Sequence, residues 1–329
     1  MTHASPDAEF LQLVQPHERA LRLHCYRMLG SSHDSDDVMQ ETLVRAWRSR
    51  SSLDVSAMLR PWLYRIATNV CLDELKNRKQ RPLPSSAVPP SDGSTGPAPA
   101  NPEATWLEPC PDAWMEGTAV DPGAAYELKE SVALAFVAAL QCLSAQQRAV
   151  LLLRDVVGMP ADETAEALGM TVAAANSTLH RARAAARERT GGREGDELAR
   201  APAEVDEDLL KRYVAAWGAM DLDAFVSLLH DDVVLTMPPS PTWTRGKAAT
   251  AAFYGTHAFV TLRGHALDLV PVGSNGQPAV AFYVDGALRA IHVVRIWQGR
   301  VVEAHHFMGR DCLAAFGLPE TLPPGKGPS

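Results

Sequence analysis

From Phe10 to Arg81 apolar residues recur at helical spacing, with Leu21, Tyr26, Met28 and Leu29 as an early stripe and few prolines to interrupt it. Between Arg81 and Pro122 that periodicity vanishes. The stretch is rich in Pro, Ser, Gly and Ala, a composition that cannot build a core and predicts a linker. One apolar island inside it, Trp106-Leu107-Glu108-Pro109, is a candidate to dock on a neighbouring domain. Helical spacing resumes from Tyr126 to Glu188, and Thr190 to Pro202 reads as a second, short linker opened by the helix stop Gly191-Gly192.

The last third has a different texture. Val205, Leu209, Leu210, Tyr213, Val214 and Trp217 form one helical stripe, and Asp221 is placed to cap a second helix carrying Phe225, Leu228 and Leu229. Strand-like runs follow at 277–284, 287–297 and 300–308, joined by Asp285-Gly286 and Gln298-Gly299. Asp-Gly between alternating β-branched and aromatic runs is a strong hairpin signal. The pattern predicts an antiparallel curved sheet behind two or three helices, and no internal repeat is evident.

A length of 329 residues suits two or three domains, and 46% apolar with 21% charged residues is ordinary for globular protein. No apolar run approaches the roughly 18 residues that span a bilayer, and the polar N-terminus lacks a signal-peptide core. The expectation is a cytoplasmic protein without a membrane partner. Five scattered cysteines with no Cys-x-x-Cys pair read as buried thiols in a reducing compartment. No metal, cofactor or catalytic site is expected.

The net charge of −8 argues against an indiscriminate nucleic-acid binder. Basic charge is local instead. One strip holds Arg60, Arg65, Lys76, Arg78, Lys79 and Arg81, and another holds Arg181, Arg183, Arg187 and Arg189. Two strips suit two separate phosphate contacts, although two solvated helix ends would look the same by charge alone.

Chemistry is carried by three blocks. Residues 162–171 followed by 172–183 read as helix, glycine-containing turn and a second helix ending in arginines, the layout that presents a recognition helix to the major groove. On the helix through Asp34–Trp47, the spacing turns Val38, Leu43, Ala46 and Trp47 largely inward and Asp37, Gln40, Glu41 and Arg45 outward. Arg60-Pro61-Trp62-Leu63-Tyr64-Arg65-Ile66-Ala67-Thr68-Asn69 interleaves aromatic and basic residues, which suits a single strand: rings stack on bases while cations hold the backbone. Taken singly, Trp47, Trp62 and Tyr64 are more often core residues than base stackers.

Together the blocks resemble sigma-70-family factors of the extracytoplasmic-function group. Asp34–Trp47 and Arg60–Asn69 are similar to region 2, and the helix-turn-helix ending Ser177-Thr178-Leu179-His180-Arg181-Ala182-Arg183 is similar to region 4. The match runs from about Phe10 to Glu188. The resemblance implies that Asp37, Gln40, Glu41 and Trp47 dock on core RNA polymerase. It implies that Trp62, Arg65, Asn69 and Lys76 meet the −10 element of promoter DNA, with Asn69 near a flipped base. Asn176, Ser177, Arg181 and Arg183 would fall on the −35 reader, where an Arg either bridges guanine O6 and N7 or holds phosphate. Departures from the usual pattern are Leu43 in place of Phe, the small Ala175 at an anchoring position, and uncharged Asn176 and Thr178.

Val205 to Leu318 resembles the SnoaL-like family of the nuclear-transport-factor-2-like superfold, on Ala215-Ala216-Trp217, Asp221–Leu229 and Asp231–Pro239. The fold class implied is multidomain: two all-α domains followed by an α+β cone-shaped domain. The division expected is 8–82 for region 2, 83–122 linker, 123–190 for region 4, 191–203 linker, 204–318 for a SnoaL-like regulatory domain and 319–329 as tail. Strand alternation puts His292 with Leu288, Ala290, Val294 and Ile296, and His306 with Val302, Ala304 and Met308. A pocket lined by Trp217, Met237, Trp243, Tyr283, His292 and His306 follows if those faces are concave, for a small molecule or an intramolecular contact. An imidazole there could shuttle protons; a His on an apolar face is more often a core residue. The leading expectation is a sigma factor, not an enzyme, with a fused modulating domain. The alternative is a SnoaL-like lyase or isomerase fused to a DNA-binding module.

Overall fold

The structure, a computed structural model, describes residues 6–50, 59–76, 80–101, 104–117, 122–190 and 206–322. Arg78, Lys79, Val205 and the whole 191–203 linker lie outside the described residues, as do the Arg189 side chain and the end of the 319–329 tail. The chain divides into two compact units, Met1–Gln80 with Ala113–Arg193, and Arg81–Asp112 with Glu194–Ser329.

The first unit is all-helical. It begins with α1 (Pro6–Val14), α2 (Glu18–Leu29), α3 (Ser32–Ser49) and α4 (Leu59–Leu75). Ser31 Oγ accepts from the Asp34 backbone N–H at 3.1 Å and so starts α3. Leu21, Cys25, Met28, Val38, Ala46, Leu63, Ala67 and Cys71 pack α2, α3 and α4 together. After the short α5 (Pro84–Ala87), which belongs to the other unit, come α6 (Pro122–Val132), α7 (Leu134–Gln141), α8 (Ala145–Leu151), a π-helical stretch Leu152–Val156, α9 (Ala161–Ala167) and α10 (Val172–Thr190). Ser144 and Gln147 form a reciprocal capping box that starts α8.

The two helical halves share one core, which continues into Leu140, Leu143, Val150, Leu153, Leu179 and Ala182. A polar knot closes their seam. The C-terminal carbonyls of α2 accept from side chains of the second half: Gln141 Nε2 donates to Arg27 O at 3.4 Å and Arg148 Nη1 donates to Met28 O. Arg148 also donates to Gln141 Oε1 at 2.7 Å and Leu140 O at 2.9 Å. Burial lowers its guanidinium to about 10, so it stays charged at neutral pH. Carbonyls at a helix C-terminus are where a buried cation is best tolerated.

The second unit contains α11 (Glu207–Gly218), α12 (Leu222–Ser227), β1 (Leu229–Thr236), β2 (Trp243–Arg245), α13 (Lys247–Phe253), β3 (Leu267–Ser274), β4 (Gln277–Val284), β5 (Ala287–Trp297), β6 (Arg300–Phe307) and α14 (Arg310–Ala314). Asp221 Oδ1 accepts from the Ala224 N–H at 2.9 Å, as the cap signal predicts. The six strands are ordered β2-β1-β6-β5-β4-β3. Asp285-Gly286 and Gln298-Gly299 turn the expected hairpins, all four with positive φ, as the two-residue turns require.

Two expectations need correction here. The sheet is mixed, because β6 returns through three hairpins to lie parallel to β1. A register shift between Arg295 and Ile296 puts Val301, rather than Val302, opposite Ile296 and into the core with Ala304.

The stretch expected as a linker is built differently. Its described residues from Arg81 to Asp112 run as an extended strap over the second unit. Ser91 N–H donates to Trp243 O at 2.7 Å, and Trp243 Nε1–H returns a bond to Val88 O at 2.8 Å. Trp106 Nε1–H donates to Pro239 O at 3.1 Å, and Leu107 is fully buried. Composition predicted no core for this segment, and it makes none of its own; its backbone is satisfied by another element.

Candidate nucleic-acid interface and C-terminal cone

On α10, Ala175, Leu179 and Ala182 fall at i, i+4 and i+7 and are buried, with Thr178 beside them. Asn176, Ser177, His180, Arg181 and Arg183 point the other way and are exposed. The small Ala175 is therefore part of the packed stripe. Gly169, with φ +62, makes the turn after α9, and Thr171 Oγ1 accepts from the Ala174 N–H at 3.1 Å to start α10. Arg183 is engaged: it forms a bidentate pair with Asp155 at 2.7 and 2.9 Å, which anchors α10 to the π-helical stretch. Arg181 Nη2 donates to Thr178 Oγ1 at 3.3 Å.

On α3, Asp37, Gln40, Val44 and Trp47 share one exposed stripe, with Glu41 half-buried beside it and tied to Arg45 at 2.7 Å. Trp47, expected to face inward, stands 41% exposed with the Arg50 guanidinium 4.0 Å over its ring. The reason lies in the packing. Ala46 is fully buried and Leu43 packs against the same core, so smaller side chains take the inward positions of this turn.

On α4, Tyr64 is buried, edge-on to His24 at 5.1 Å, and is a core residue. Trp62 is half-buried against Phe10. Arg65 and Asn69 are held by the helix-turn-helix half: Arg65 pairs with Glu166 at 3.2 Å and Asn69 Nδ2 donates to Ala167 O at 3.4 Å. Arg60 Nη2 likewise donates to Val157 O at 2.8 Å, beside a cavity of about 320 Å³ in the seam. Lys76 pairs with Asp73 at 2.8 Å.

In the second unit, three of the six expected pocket residues meet. The His292 and His306 rings stack at 3.6 Å, with Trp217 5.4 Å from His292. Two residues that the pocket expectation missed complete the cluster. Tyr213 OH lies 3.2 Å from His292 Nδ1 and 3.3 Å from His306 Nε2, and Tyr254 OH lies 3.2 Å from His306 Nε2. Tyr213 was legible as a stripe residue; Tyr254 sits in a π-helical stretch whose spacing hides it. Phe282 stacks on His292 at 4.7 Å, and Phe225 and Phe259 pack around Trp217. These rings are buried against one another. Burial lowers His292 to about 3; burial, then His292 and His305, lower His306 well below its usual value. Both imidazoles are neutral. Met237 joins the core around this cluster, while Trp243 binds the strap and Tyr283 donates to Pro319 O at 3.1 Å.

A recognition helix presented by a glycine turn, packed on a second helical half that carries an aromatic-basic helix, defines a DNA-reading transcription factor with a cone-shaped α+β domain attached. Comparison with known proteins agrees. Residues 13–81 match the model of Sigma-70 region 2, 133–185 that of Sigma-70, region 4, and 210–304 that of the SnoaL-like domain. The chain is 39% identical to the ECF RNA polymerase sigma factor SigG of Mycobacterium tuberculosis over 318 residues, 95% of this chain and 85% of that one. The crystal structure of the M. tuberculosis extracytoplasmic function sigma factor SigJ shares the fold, with a TM-score of 0.58 at 24% identity over 93% of this chain and 98% of that chain. The chain belongs to the extracytoplasmic-function RNA polymerase sigma factors. It directs transcription initiation and carries a SnoaL-like extension. Among the described residues no helix is long and apolar enough to cross a membrane.

Proposed function

We propose that the exposed face of α10, with Asn176, Ser177 and Arg181, reads the −35 element, and that Arg183 positions that helix through Asp155. Trp62, Arg65, Asn69 and Lys76 contact the −10 strand, and the α3 stripe of Asp37, Gln40, Glu41 and Trp47 docks core RNA polymerase. The boundaries 8–82 and 123–190 serve for the two promoter-reading domains, and 204–318 for a modulating domain that works in the cytoplasm without catalysis. One observation carries the reading: α10 packs one stripe and leaves polar and basic residues open on the other. Run-off transcription with core polymerase tests it. Cognate transcripts should need the factor, and Asn69→Ala and Arg181→Ala should each lower them at least about tenfold.

Support for a non-catalytic extension comes from the cone itself. A general acid or base works best with a pKa near the operating pH and access to substrate. His292 and His306 are buried, low in pKa and covered by Tyr213, Tyr254 and Trp217.

A further inference from the structure

The cavity of about 320 Å³ in the seam of the helical unit takes its walls from both halves, α2 and α4 on one side, α6 and the π-helical stretch on the other. Two guanidiniums and a phenol converge on it, from Arg27, Arg60 and Tyr64. Arg27 is 3% exposed, and Ser131 fixes its plane. Arg27 Nε donates to Ser131 O at 3.0 Å and Nη2 to Ser131 Oγ at 2.7 Å, while Ser131 Oγ donates to Leu128 O at 2.7 Å. Arg60 is steadied by Val157 O and lies 5.4 Å over the Tyr64 ring. Val157 N–H itself donates to Leu152 O at 2.9 Å, five residues back, and such wide turns recur at functional sites. Neighbouring imidazoles feel the cations. After burial, Arg27 is what lowers His24 and Arg60 is what lowers His17.

The charge of the lining decides the class of occupant. Arg27 and Arg60 supply two positive charges and Glu127 one negative. Asp155 also lines the cavity, but Arg183 neutralises it through bonds of 2.7 and 2.9 Å. One net positive charge remains, which suits a monoanion; a polyphosphate would meet Glu127 with excess like charge. A guanidinium donates to a carboxylate in bidentate fashion. Leu23 and Val156 offer an apolar wall beside the cations. The volume falls at the small end of ligand pockets, about 300 to 1,000 Å³.

We propose that the seam cavity binds a small organic monocarboxylate, its carboxylate between Arg27 and Arg60 and its apolar body against Leu23 and Val156. Because both halves build the walls, an occupant binds the packed arrangement and stabilises it by mass action. In that arrangement α9 holds Arg65 and Asn69. Occupancy therefore restrains the −10 contact, a step that rests on the reading given under the proposed function.

Calorimetric titration of the full chain with cinnamate tests the site. A Kd of about 1 mM or tighter is expected for a ligand of this size. Cinnamamide lacks the charge and inorganic phosphate lacks the apolar body, so each should bind at least about tenfold more weakly. Arg60→Gln removes a cation and Ala20→Phe fills the cavity; each should weaken cinnamate at least about tenfold, with circular dichroism reporting an intact fold. Glu127 is exposed, and Glu127→Gln should tighten cinnamate and phosphate several-fold. Saturating cinnamate should slow amide exchange in α6 and lower affinity for a −10 single strand several-fold, and Arg60→Gln should lose both effects. No binding of cinnamate, equal binding of cinnamamide, or binding that survives both Arg60→Gln and Ala20→Phe overturns the proposal. So does binding that leaves α6 exchange unchanged. Strand affinity of the chain without cinnamate is read in parallel. A chain that takes cinnamate and slows α6 exchange, yet never binds the strand, supports the site and refutes the proposed −10 contact.

Discussion

Arg65 on α4 pairs with Glu166 on α9 at 3.2 Å, so a cation proposed to meet the −10 strand is bound by the helix-turn-helix half. Asn69, one turn on, is held the same way by Ala167 O. The α4 face proposed to meet DNA is the face on which the other helical half docks. Glu166→Lys replaces attraction by repulsion. Both side chains are well exposed, so the stability change should stay within about 1 kcal/mol. Affinity of the free chain for a fluorescent −10 single strand should rise several-fold by anisotropy. No change in that affinity would remove Arg65 from the strand's path.

Trp47 offers a separate readout. Its indole is exposed and supports no core, so Trp47→Ala should leave thermal unfolding nearly unchanged. An aromatic anchor at the centre of an interface is commonly worth 2 kcal/mol or more. Affinity for core polymerase, measured by competition against the unaltered factor, should therefore fall about 30-fold. Full retention of affinity would place the polymerase contact elsewhere.

Arg181 and Arg183 should separate by mechanism. Arg181→Ala removes a cation from the open face and should cost about 1–3 kcal/mol on the cognate −35 duplex, with less effect on scrambled duplex. Arg183→Ala breaks the bidentate pair with Asp155 and loosens α10. It should weaken cognate and scrambled duplexes alike, and Asp155→Ala should copy it. Gel-shift competition distinguishes the two patterns.

Acid should destabilise the fold through buried imidazoles. Burial, then Arg27, lower His24 to about 3, and burial lowers His292 to about 3. The unfolded rings take up protons as pH falls through about 6.5, whereas the folded ones stay neutral until about 3, so their contribution is intact above 6.5 and lost on the way down. Each should forfeit about 2 kcal/mol between pH 7 and pH 5. In urea titrations of the C-terminal domain signal, His292→Phe should flatten the pH slope by about that much. An unchanged slope would mean that His292 titrates normally.

Much of the site was written in local spacing. The stripe of Ala175, Leu179 and Ala182 follows from helical period alone, and so does the opposed face with Asn176 and Arg181. Asp221 and the Asp285-Gly286 turn acted as their chemistry demands. Trp47 was misjudged because spacing gives a helix two apolar edges and does not say which one meets a neighbour. The Arg183–Asp155 pair was not legible, because Asp155 lies 28 residues away in a π-helical stretch with no sequence signature.

The sequence by itself determined the order of the elements, their caps and turns, the family, and the helix-turn-helix with its exposed polar face. All of these rest on residues within a few positions of one another. Only the tertiary structure decided that Arg65 and Asn69 are held by α9, that Tyr213, Tyr254 and Trp217 pack on the two imidazoles, and that the strap is bound. Those outcomes rest on contacts between distant segments. For the strap they rest on backbone donors and acceptors, which every residue carries and which leave no mark in composition or period.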